Sequence, residues 1–339
     1  MGAFGGWDMP IQYAGILAEH AHTRSAASLF DISHMGEFEI RGPQALADLE
    51  RLLTCSIATM QLSQVRYGYL LDQEGGVLDD LTCYRLGEDR FLLVVNAATC
   101  AGDYQWIKEN LSEDTVLVDH SAAWAKLDLQ GPKSRDVLQD VMKLDVSGLG
   151  YFRAIEMGDT LISRTGYTGE LGYEIYLPQP KAADLWTAFL THADCLPAGL
   201  GARDTLRLEM GYPLYGHELS EAYSPVGTAG SSFIDLTKTF IGKERVEHDL
   251  ATLPDQMIAL KFATKKAARE GDQIFCNDQL AGEITSGSLS PSLQVAIAMG
   301  RVKGEEIKVG QIIEVEIRKK RIEAEVVRLP FYTDGTARG

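Results

Sequence analysis

Alternation between apolar and polar positions divides this chain into short helices and strands. Helical spacing begins at Ile16 and runs toward Phe30, which predicts a first helix in this segment. Up to residue 109 the pattern predicts strands at Gly36–Arg41, Tyr67–Leu71, Val77–Tyr84 and Phe91–Asn96, and helices at Ala45–Leu53 and Asp103–Glu109. This mixture favours an α+β layer over alternating βαβ units.

A similar order of elements recurs in the next hundred residues. The predicted elements are strands at Leu127–Gly131, Leu161–Arg164 and Tyr173–Leu177, and helices at Ser134–Met142, Ala182–Ala193 and after the Gly199–Gly201 turn. The second segment therefore reads as another α+β unit.

Beyond Ile241 the pattern changes to short strands separated by glycine turns. The predicted strands are Met257–Phe262, Gln273–Cys276, Leu280–Thr285, Ala296–Val302, Ile312–Ile317 and Ile322–Leu329. Six short strands at close spacing indicate a small barrel or a Greek-key module. Because the predicted helices are confined to the first 220 or so residues, we expect a domain boundary near residues 240–255.

Length and charge narrow the class of protein. At 339 residues and 45% hydrophobic, the chain has material for two or three domains. A formal net charge of −16 argues against a nucleic-acid partner, because phosphate binding draws on clustered lysine and arginine. No run approaches the roughly 18 apolar residues of a membrane span, and the first residues lack signal-peptide features. We expect a cytoplasmic protein.

Neither cysteines nor histidines form a metal-binding pattern. The five cysteines are scattered without a Cys-x-x-Cys pair, which is typical of free thiols in a reducing compartment. His20 and His22 are the only close histidines, and their spacing suits neither a helical ligand pair nor a Cys/His site. We therefore predict no metal site.

The predicted strand Val77–Tyr84 carries two adjacent acids, Asp79 and Asp80. Neighbouring strand residues point to opposite faces, so only one of the two can face a pocket. Both could lie at a solvated strand end after the Gly75-Gly76 turn. Alternatively, one is an acid that partial burial tunes for proton handling. The pattern does not say which aspartate that would be.

The segment Ser163–Glu174 holds three glycines and leads into the predicted strand Tyr173–Leu177. A nucleotide-binding loop would open a helix instead, which argues against phosphate binding here. Two interpretations remain open. The segment is either a plain hairpin turn or a ligand-gripping turn, in which Tyr167 offers a flat face and Glu174 accepts hydrogen bonds.

Arg203 falls near the start of the predicted helix after Gly201. A cation there opposes the helix dipole by about 0.3–1 kcal/mol, and Arg207 adds a like charge on the same face. A negative charge should compensate. Asp204 or Glu209 could supply it, and so could a bound carboxylate or an acidic site residue.

Nine segments, taken in order, carry a resemblance that covers nearly the whole chain. They are Gly6–Pro10, Leu29–Gly36, Gly75–Leu81, Val95–Ala98, Arg164–Glu170, Gly199–Asp204, Leu214–Glu218, Thr285–Gly287 and Leu329–Tyr332. Together they resemble the aminomethyltransferase (T protein) family of the glycine cleavage system. So many motifs in one order are a specific signal, whereas a single one is not.

The resemblance implies a fold and a reaction. The fold is a three-domain cloverleaf of class α+β, in which two α+β units form a folate channel and a small β-barrel follows. The implied domains are residues 1–36 with 123–240 (a discontinuous folate-binding domain), 37–122 (inserted in it) and 241–339 (the barrel). The reaction moves an aminomethyl carbon from a lipoyl carrier protein, the H protein, to tetrahydrofolate and releases ammonia.

The resemblance also assigns site residues. The family's catalytic aspartate matches Asp80, which would orient the pterin and assist proton movement. The matching folate-channel residues are Tyr67, Asn96, Tyr167, Glu174, Arg203 and Tyr212. Asp79 would then be a supporting residue.

Departures from the family pattern keep two other functions open. The family's Pro-x-Glu-Ala-Gly followed by tryptophan is replaced at Pro225–Ser232, and its basic C-terminal turn is replaced at Lys265–Arg269. One alternative is a folate-dependent demethylase of a small methylated compound. The other is a non-catalytic folate-binding accessory protein of iron–sulfur maturation, although the cysteine signature of that branch is missing.

Overall fold

The computed structural model describes residues 1–228, 231–304 and 307–339. Its first elements are β1 (Gly2–Phe4), β2 (Trp7–Met9), α1 (Ile16–Ser25) and β3 (Ala27–Asp31). The prediction that the first helix runs toward Phe30 is therefore wrong, because the helix ends at Ser25 and Phe30 lies in β3. Residues 27–30 are all buried. A strand covered on both faces shows no alternation to reveal it.

The next residues form a five-stranded antiparallel sheet with two helices on one face. These elements are β4 (Gly36–Arg41), α2 (Ala45–Leu52), β5 (Val65–Leu71), β6 (Val77–Arg85), β7 (Arg90–Val95), α3 (Cys100–Glu109) and β8 (Val116–Asp119). The strand order is β5-β6-β7-β4-β8. Leu49 of α2 and Ile107 of α3 are fully buried against Leu81 and Leu93 of the sheet. The predicted hairpin around residues 72–76 is confirmed.

The chain then returns to the sheet that contains β3. The new elements are β9 (Trp124–Gln130), α4 (Ser134–Met142), β10 (Ala154–Met157), β11 (Thr160–Ser163), β12 (Gly172–Pro178), α5 (Ala182–Leu190), β13 (Cys195–Pro197) and α6 (Leu200–Met210). The six-stranded order is β10-β11-β12-β9-β3-β13. The five-stranded sheet is thus inserted between β3 and β9. We propose this insertion as the basis of the division into residues 1–36 with 123–240, 37–122 and 241–339, which stays a prediction.

The two sheets meet across an interface that includes tyrosines. Tyr84 of the five-stranded sheet and Tyr176 of the six-stranded sheet are both buried, and their hydroxyl oxygens lie 2.7 Å apart. Helices α4 and α5 cover the other face of the six-stranded sheet, where Val137 and Phe189 pack on its apolar residues. Each sheet therefore has one face covered by helices, and side chains on the remaining faces meet between the sheets.

A closed barrel follows one more helix. These elements are α7 (Lys243–Thr252), β14 (Asp255–Phe262), β15 (Gln273–Cys276), β16 (Gln279–Leu289), β17 (Ala296–Lys303), β18 (Ile312–Ile317) and β19 (Lys320–Val327), with the barrel order β14-β17-β16-β15-β18-β19. The predicted α+β class and C-terminal barrel are confirmed. Helix α7 contradicts the prediction that helices are confined to the first 220 residues. It is mostly charged and buries Val246 and Asp249, so its apolar periodicity is weak.

Short 3₁₀ turns at Pro225–Gly227 and Ser231–Phe233 precede α7. The segment Pro225–Ser232, which differs from the family pattern, includes residues 229 and 230, and these two lie outside the described residues. Within the described ranges, no helix is long and apolar enough to cross a membrane. All five cysteines are free thiols.

Candidate functional site

One face of the β5–β6 hairpin carries Asp80 together with two tyrosines. Asp80 is paired with Tyr69 in the strand register, and Tyr67 is paired with Thr82. Because paired residues of antiparallel strands point to the same face, these side chains share one side of the sheet. The Tyr67 hydroxyl donates a hydrogen bond to Asp80 Oδ2 at 2.9 Å. The Tyr67 ring also packs edge-on against Phe233 at 4.7 Å, so Asp80 lies beside an aromatic wall.

Asn96, directly after β7, joins the two aspartates. Its Nδ2 donates to Asp79 Oδ1 at 2.7 Å and to Asp80 Oδ1 at 3.0 Å. Its backbone N–H donates to Asp79 Oδ2 at 2.9 Å. Asp79 is fully buried and Asp80 is partly buried. The hypothesis of two aspartates at a solvated strand end is therefore wrong, whereas their opposite orientations follow the predicted alternation.

The environment of Asp80 favours its protonated form. Burial, followed by the charge of Asp79, raises the pKa of Asp80 to about 7. Hydrogen bonds from Tyr67 and Asn96 act in the opposite direction, because they stabilise the carboxylate. Burial also raises the pKa of Tyr67 well above its usual value, so the tyrosine stays a hydrogen-bond donor. A carboxyl group with a pKa near neutrality can both accept and release a proton under working conditions.

The six-stranded sheet contributes a polar face to the interior. Glu174 of β12 is paired with Asp128 of β9, and Tyr176 is paired with Lys126. The residues between them, such as Ile175, belong to the apolar core under α4 and α5. Alternation therefore places acidic and basic side chains together on the face that lies toward the five-stranded sheet.

Glu174 is buried and surrounded by donors. Its Oε1 lies 3.2 Å from the Lys126 ammonium. Its Oε2 accepts hydrogen bonds from Thr165 at 2.7 Å, from Tyr176 at 3.2 Å and from Tyr84 at 3.3 Å. Burial opposes the charge of Glu174, but Lys126 and Thr165 lower its pKa below the usual value overall. Glu174 is therefore an ionised acceptor.

Arg203 of α6 is compensated by an acid from the sheet. Its Nη1 lies 2.6 Å from Asp128 Oδ2, and Asp128 is fully buried. Asp204 pairs with Arg207 instead, at 2.9 Å. Of the two alternatives for the compensating charge, the structure shows an acidic residue on the polar face. Burial nevertheless raises the pKa of Asp128 to about 6, against the effect of Arg203.

Tyr167 and Tyr212 form a stacked pair beside Arg203. Their ring centroids are 5.6 Å apart with an interplanar angle of 26°. The Arg203 guanidinium lies 5.0 Å from the Tyr167 centroid, and the Tyr167 hydroxyl donates to the backbone oxygen of Pro213. The loop that carries Tyr167 also needs a glycine, because Gly169 has a φ of +80°. This loop is followed by β12, as expected for a segment that binds no nucleotide phosphate.

The predicted site residues therefore fall into two clusters. The five-stranded sheet carries Tyr67, Asp80 and Asn96, whereas Tyr167, Glu174, Arg203 and Tyr212 lie on the side of the six-stranded sheet. Burial raises the pKa of Tyr167; the charge of Arg207 opposes this shift and the charge of Asp80 adds to it, so the two clusters are linked electrostatically. Tyr212 also lines a small pocket with Thr165 and Gly166 that includes neither Asp80 nor Asn96.

Sequence reasoning missed three residues of this region. Lys126 and Asp128 alternate with apolar neighbours in the segment Trp124–Gln130, and this period of two could have identified the polar face. His34 is the third. It is buried with an unpartnered Nδ1, and burial together with Arg203 and Lys126 lowers its pKa to about 3. It is therefore neutral.

No cluster of three or more histidine, cysteine or acidic side chains in the described part of the chain is arranged to hold a metal ion. The two clusters combine aromatic side chains with the ionised acceptor Glu174, and this combination suits a flat, polar organic molecule.

Two family models together match most of the chain. The GCVT N-terminal domain matches residues 1–238, and the glycine cleavage T-protein C-terminal barrel domain matches residues 256–333. The first match covers both sheets, and the second covers the barrel.

Individual relatives match over nearly their full length. The chain is 39% identical to an aminomethyltransferase of Halothermothrix orenii, covering 97% of this chain and 94% of the relative. It is 42% identical to an aminomethyltransferase of Geobacillus thermodenitrificans, covering 97% and 93%. Among solved structures, glycine cleavage system aminomethyltransferase T from Bartonella henselae superposes with a TM-score of 0.94 at 35% identity, covering 99% of this chain and 94% of that one.

Proposed function

The chain belongs to the glycine cleavage T-protein family, and from this premise we propose how its partly buried Asp80 serves the reaction. The protein is an aminomethyltransferase of the glycine cleavage system, as its full-length relatives are named. Its co-substrate is tetrahydrofolate, its donor is the aminomethyl group of a lipoyl carrier protein, and Asp80 is its catalytic residue.

The two clusters fit the chemistry of a reduced folate. A pterin presents N–H donors on a flat ring, and folate ends in carboxylates. Glu174 accepts three hydrogen bonds at Oε2 but only the Lys126 contact at Oε1, which leaves a lone pair for a pterin N–H. Tyr67 and Tyr167 offer aromatic faces, and the Arg203 guanidinium can receive an anionic group. Asn96 and Tyr212 complete the predicted binding set.

Asp80 manages the protons of the transfer. The folate nitrogens lose two protons when they bond to the aminomethyl carbon, while the departing amino group becomes ammonia and the departing sulfur becomes a thiol. The Asp80 carboxylate accepts a proton from the attacking nitrogen and returns it to a leaving group. A pKa of about 7 suits both steps, because the carboxylate is basic enough to accept the proton and the carboxylic acid is strong enough to release it.

The free cysteines bear on the cellular compartment of the enzyme. Five unpaired cysteines are compatible with a reducing compartment, and we place the enzyme in the cytoplasm. The family's reaction also requires a lipoyl carrier protein, and we infer that this H protein is the partner.

The hydrogen-bonded group Tyr67–Asp80–Asn96 is the observation that carries this proposal, since it holds one carboxyl group with a near-neutral pKa on the inner face of the sheet. Calorimetric titration with tetrahydrofolate tests it first. We expect saturable binding at one site per chain, and absence of binding would overturn the proposal.

A comparison of donors tests the transferase against the demethylase. Aminomethyl-loaded lipoyl protein should yield ammonia and methylenetetrahydrofolate in equal amounts. Methyl transfer from a free methylated compound, without ammonia release, would support the demethylase instead. Folate binding without turnover of either donor would support the accessory function.

A further inference from the structure

Asp79 points away from Asp80 and meets a third acid. Asp79 is paired with Leu70, whose side chain lies in the core under α2 and α3. Asp103, in the first turn of α3, is also buried and interacts with Asp79. The two acids are 0% and 2% exposed. Two carboxyl groups therefore lie together in a site from which water is excluded.

The contact between these two acids requires a proton. The side chains of Asp79 and Asp103 interact with one another, whereas the Thr99 hydroxyl donates to the backbone oxygen of Asn96 at 3.2 Å. Two carboxylates have only acceptors, so neither could donate a hydrogen bond to the other. Moreover, Asp103 Oδ2 is buried and no donor is directed at it. A proton on the pair supplies the missing donor.

Asn96 transmits the geometry of this pair to Asp80. Its Nδ2 donates to Asp79 Oδ1 at 2.7 Å, and its backbone N–H donates to Asp79 Oδ2 at 2.9 Å. The same Nδ2 also donates to Asp80 Oδ1 at 3.0 Å. If Asp79 moved, Asn96 would move with it. The orientation of Asp80 therefore depends on a contact that lies on the other face of the sheet.

We infer that Asp79 and Asp103 share a single proton, and that Asp103 is a positioning residue which fixes Asp79, and through Asn96 the catalytic Asp80. The effect on Asp80 rests on the proposed function, whereas the shared proton does not. Burial raises the pKa of both acids, to about 7 for Asp103. The charge of Asp103 raises the pKa of Asp79 further, and the charge of Asp80 acts in the same direction on Asp103.

Three other titratable groups interact with the pair. Asp80 lies on the adjacent residue of β6, Cys100 lies on α3, and Tyr215 approaches from the segment after α6. Burial raises the pKa of Cys100 and of Tyr215, so both remain neutral near pH 7. The pair thus carries one negative charge next to Asp80 while it keeps its proton. Loss of that proton would add a second charge and would further disfavour the Asp80 carboxylate.

Infrared spectroscopy of the full chain tests the shared proton without folate. The comparison is between Asp80→Asn and the double variant Asp80→Asn/Asp103→Asn, so that the proton of Asp80 itself is absent from both. The carbonyl band of a protonated carboxylic acid should be stronger in the single variant by one group. Glu37, whose pKa burial raises to about 8, contributes equally to both spectra. Identical bands would overturn the shared proton.

The turnover rate of two single variants of the full chain tests the positioning role of Asp103. Asp103→Asn keeps a donor toward Asp79 and the same net charge, whereas Asp103→Ala removes the contact. We expect Asp103→Ala to lower kcat by up to about 10²-fold with little change in tetrahydrofolate affinity, and Asp103→Asn to restore most of the rate. Wild-type kcat in Asp103→Ala, or equal losses in both variants, would contradict the inference. Failure of the wild type to bind folate would instead contradict the proposed function, because the infrared result is independent of it.

Discussion

The hydroxyl of Tyr67 donates to Oδ2 of Asp80 at 2.9 Å and thereby stabilises the charged form of that acid. Burial raises the pKa of Asp80 to about 7 even with this hydrogen bond in place. The tyrosine therefore lowers the pH at which Asp80 can begin to act as a base.

Removal of this hydroxyl should shift the pH dependence of turnover. In Tyr67→Phe the carboxylate loses a donor, so the pKa of Asp80 rises further, by about one unit for a hydrogen bond of about 1–1.5 kcal/mol. The rising limb of kcat against pH should move to higher pH by that amount. Tyr69→Phe is the matched control, because the Tyr69 hydroxyl contacts Thr228 at 3.5 Å. An unshifted profile in Tyr67→Phe would contradict this role.

The raised pKa of Asp80 should also cost stability. The folded-state pKa of about 7 lies above the ordinary value of 3.8, so the folded state binds the proton more tightly than the unfolded chain. Stability is therefore lost as pH rises from about 4 through 7. Asp80→Asn should raise the free energy of unfolding by about 2–4 kcal/mol at pH near 8 and by much less at pH near 4. Urea unfolding at both pH values measures this. If Asp80→Asn were less stable than the wild type at alkaline pH, the environment would not disfavour the charged form of Asp80.

The sequence pattern predicted the hairpin around residues 72–76 and the barrel strands because these strands have alternating faces or glycine turns at their ends. It failed at β3, which is covered on both faces. It also could not say which aspartate faces the site, since alternation only separates them. The resemblance selected Asp80. Asp103 was beyond either argument, because its contact with Asp79 depends on how α3 packs on the sheet.

Glu209 lies where α1 and α6 meet the barrel, and it should make the free energy of unfolding fall as the pH becomes acidic. It accepts hydrogen bonds from Ser290 at 2.6 Å and from Ser292 at 2.8 Å, and it lies 2.8 Å from Arg24. Burial opposes its charge, but His20 and the serines lower its pKa to about 2. Because this folded-state pKa is depressed, the contribution is complete above the ordinary pKa of 4.5 and is lost as pH falls toward 2.

Glu209→Gln should accordingly lower the free energy of unfolding by about 3 kcal/mol at neutral pH, with a difference that shrinks toward pH 2. Unfolding by urea across this pH range is the measurement. Glu323→Gln, an exposed acid on the barrel, is the control and should change little. A constant difference at all pH values would mean that Glu209 acts by packing and not by its charge.

Arg203 should be needed to keep Asp128 in the interior. The pair is separated by 2.6 Å, and Asp128 is fully buried. Arg203→Gln leaves that acid without its partner and should cost about 3–5 kcal/mol of unfolding free energy at neutral pH. The double variant with Asp128→Asn should recover part of the loss, because the unpaired charge is gone. If the double variant is no more stable than the single one, the ion pair is not what Arg203 contributes to folding.

The most direct test of the account is the rate at which methylenetetrahydrofolate and ammonia form from aminomethyl-loaded lipoyl carrier protein, compared among wild type, Asp80→Asn and Asp79→Asn. We predict that Asp80→Asn still binds tetrahydrofolate but loses about 10²–10⁴-fold in rate, while Asp79→Asn loses less. Equal losses in the two variants, or a wild-type rate in Asp80→Asn, would contradict the assignment of the chemistry to Asp80.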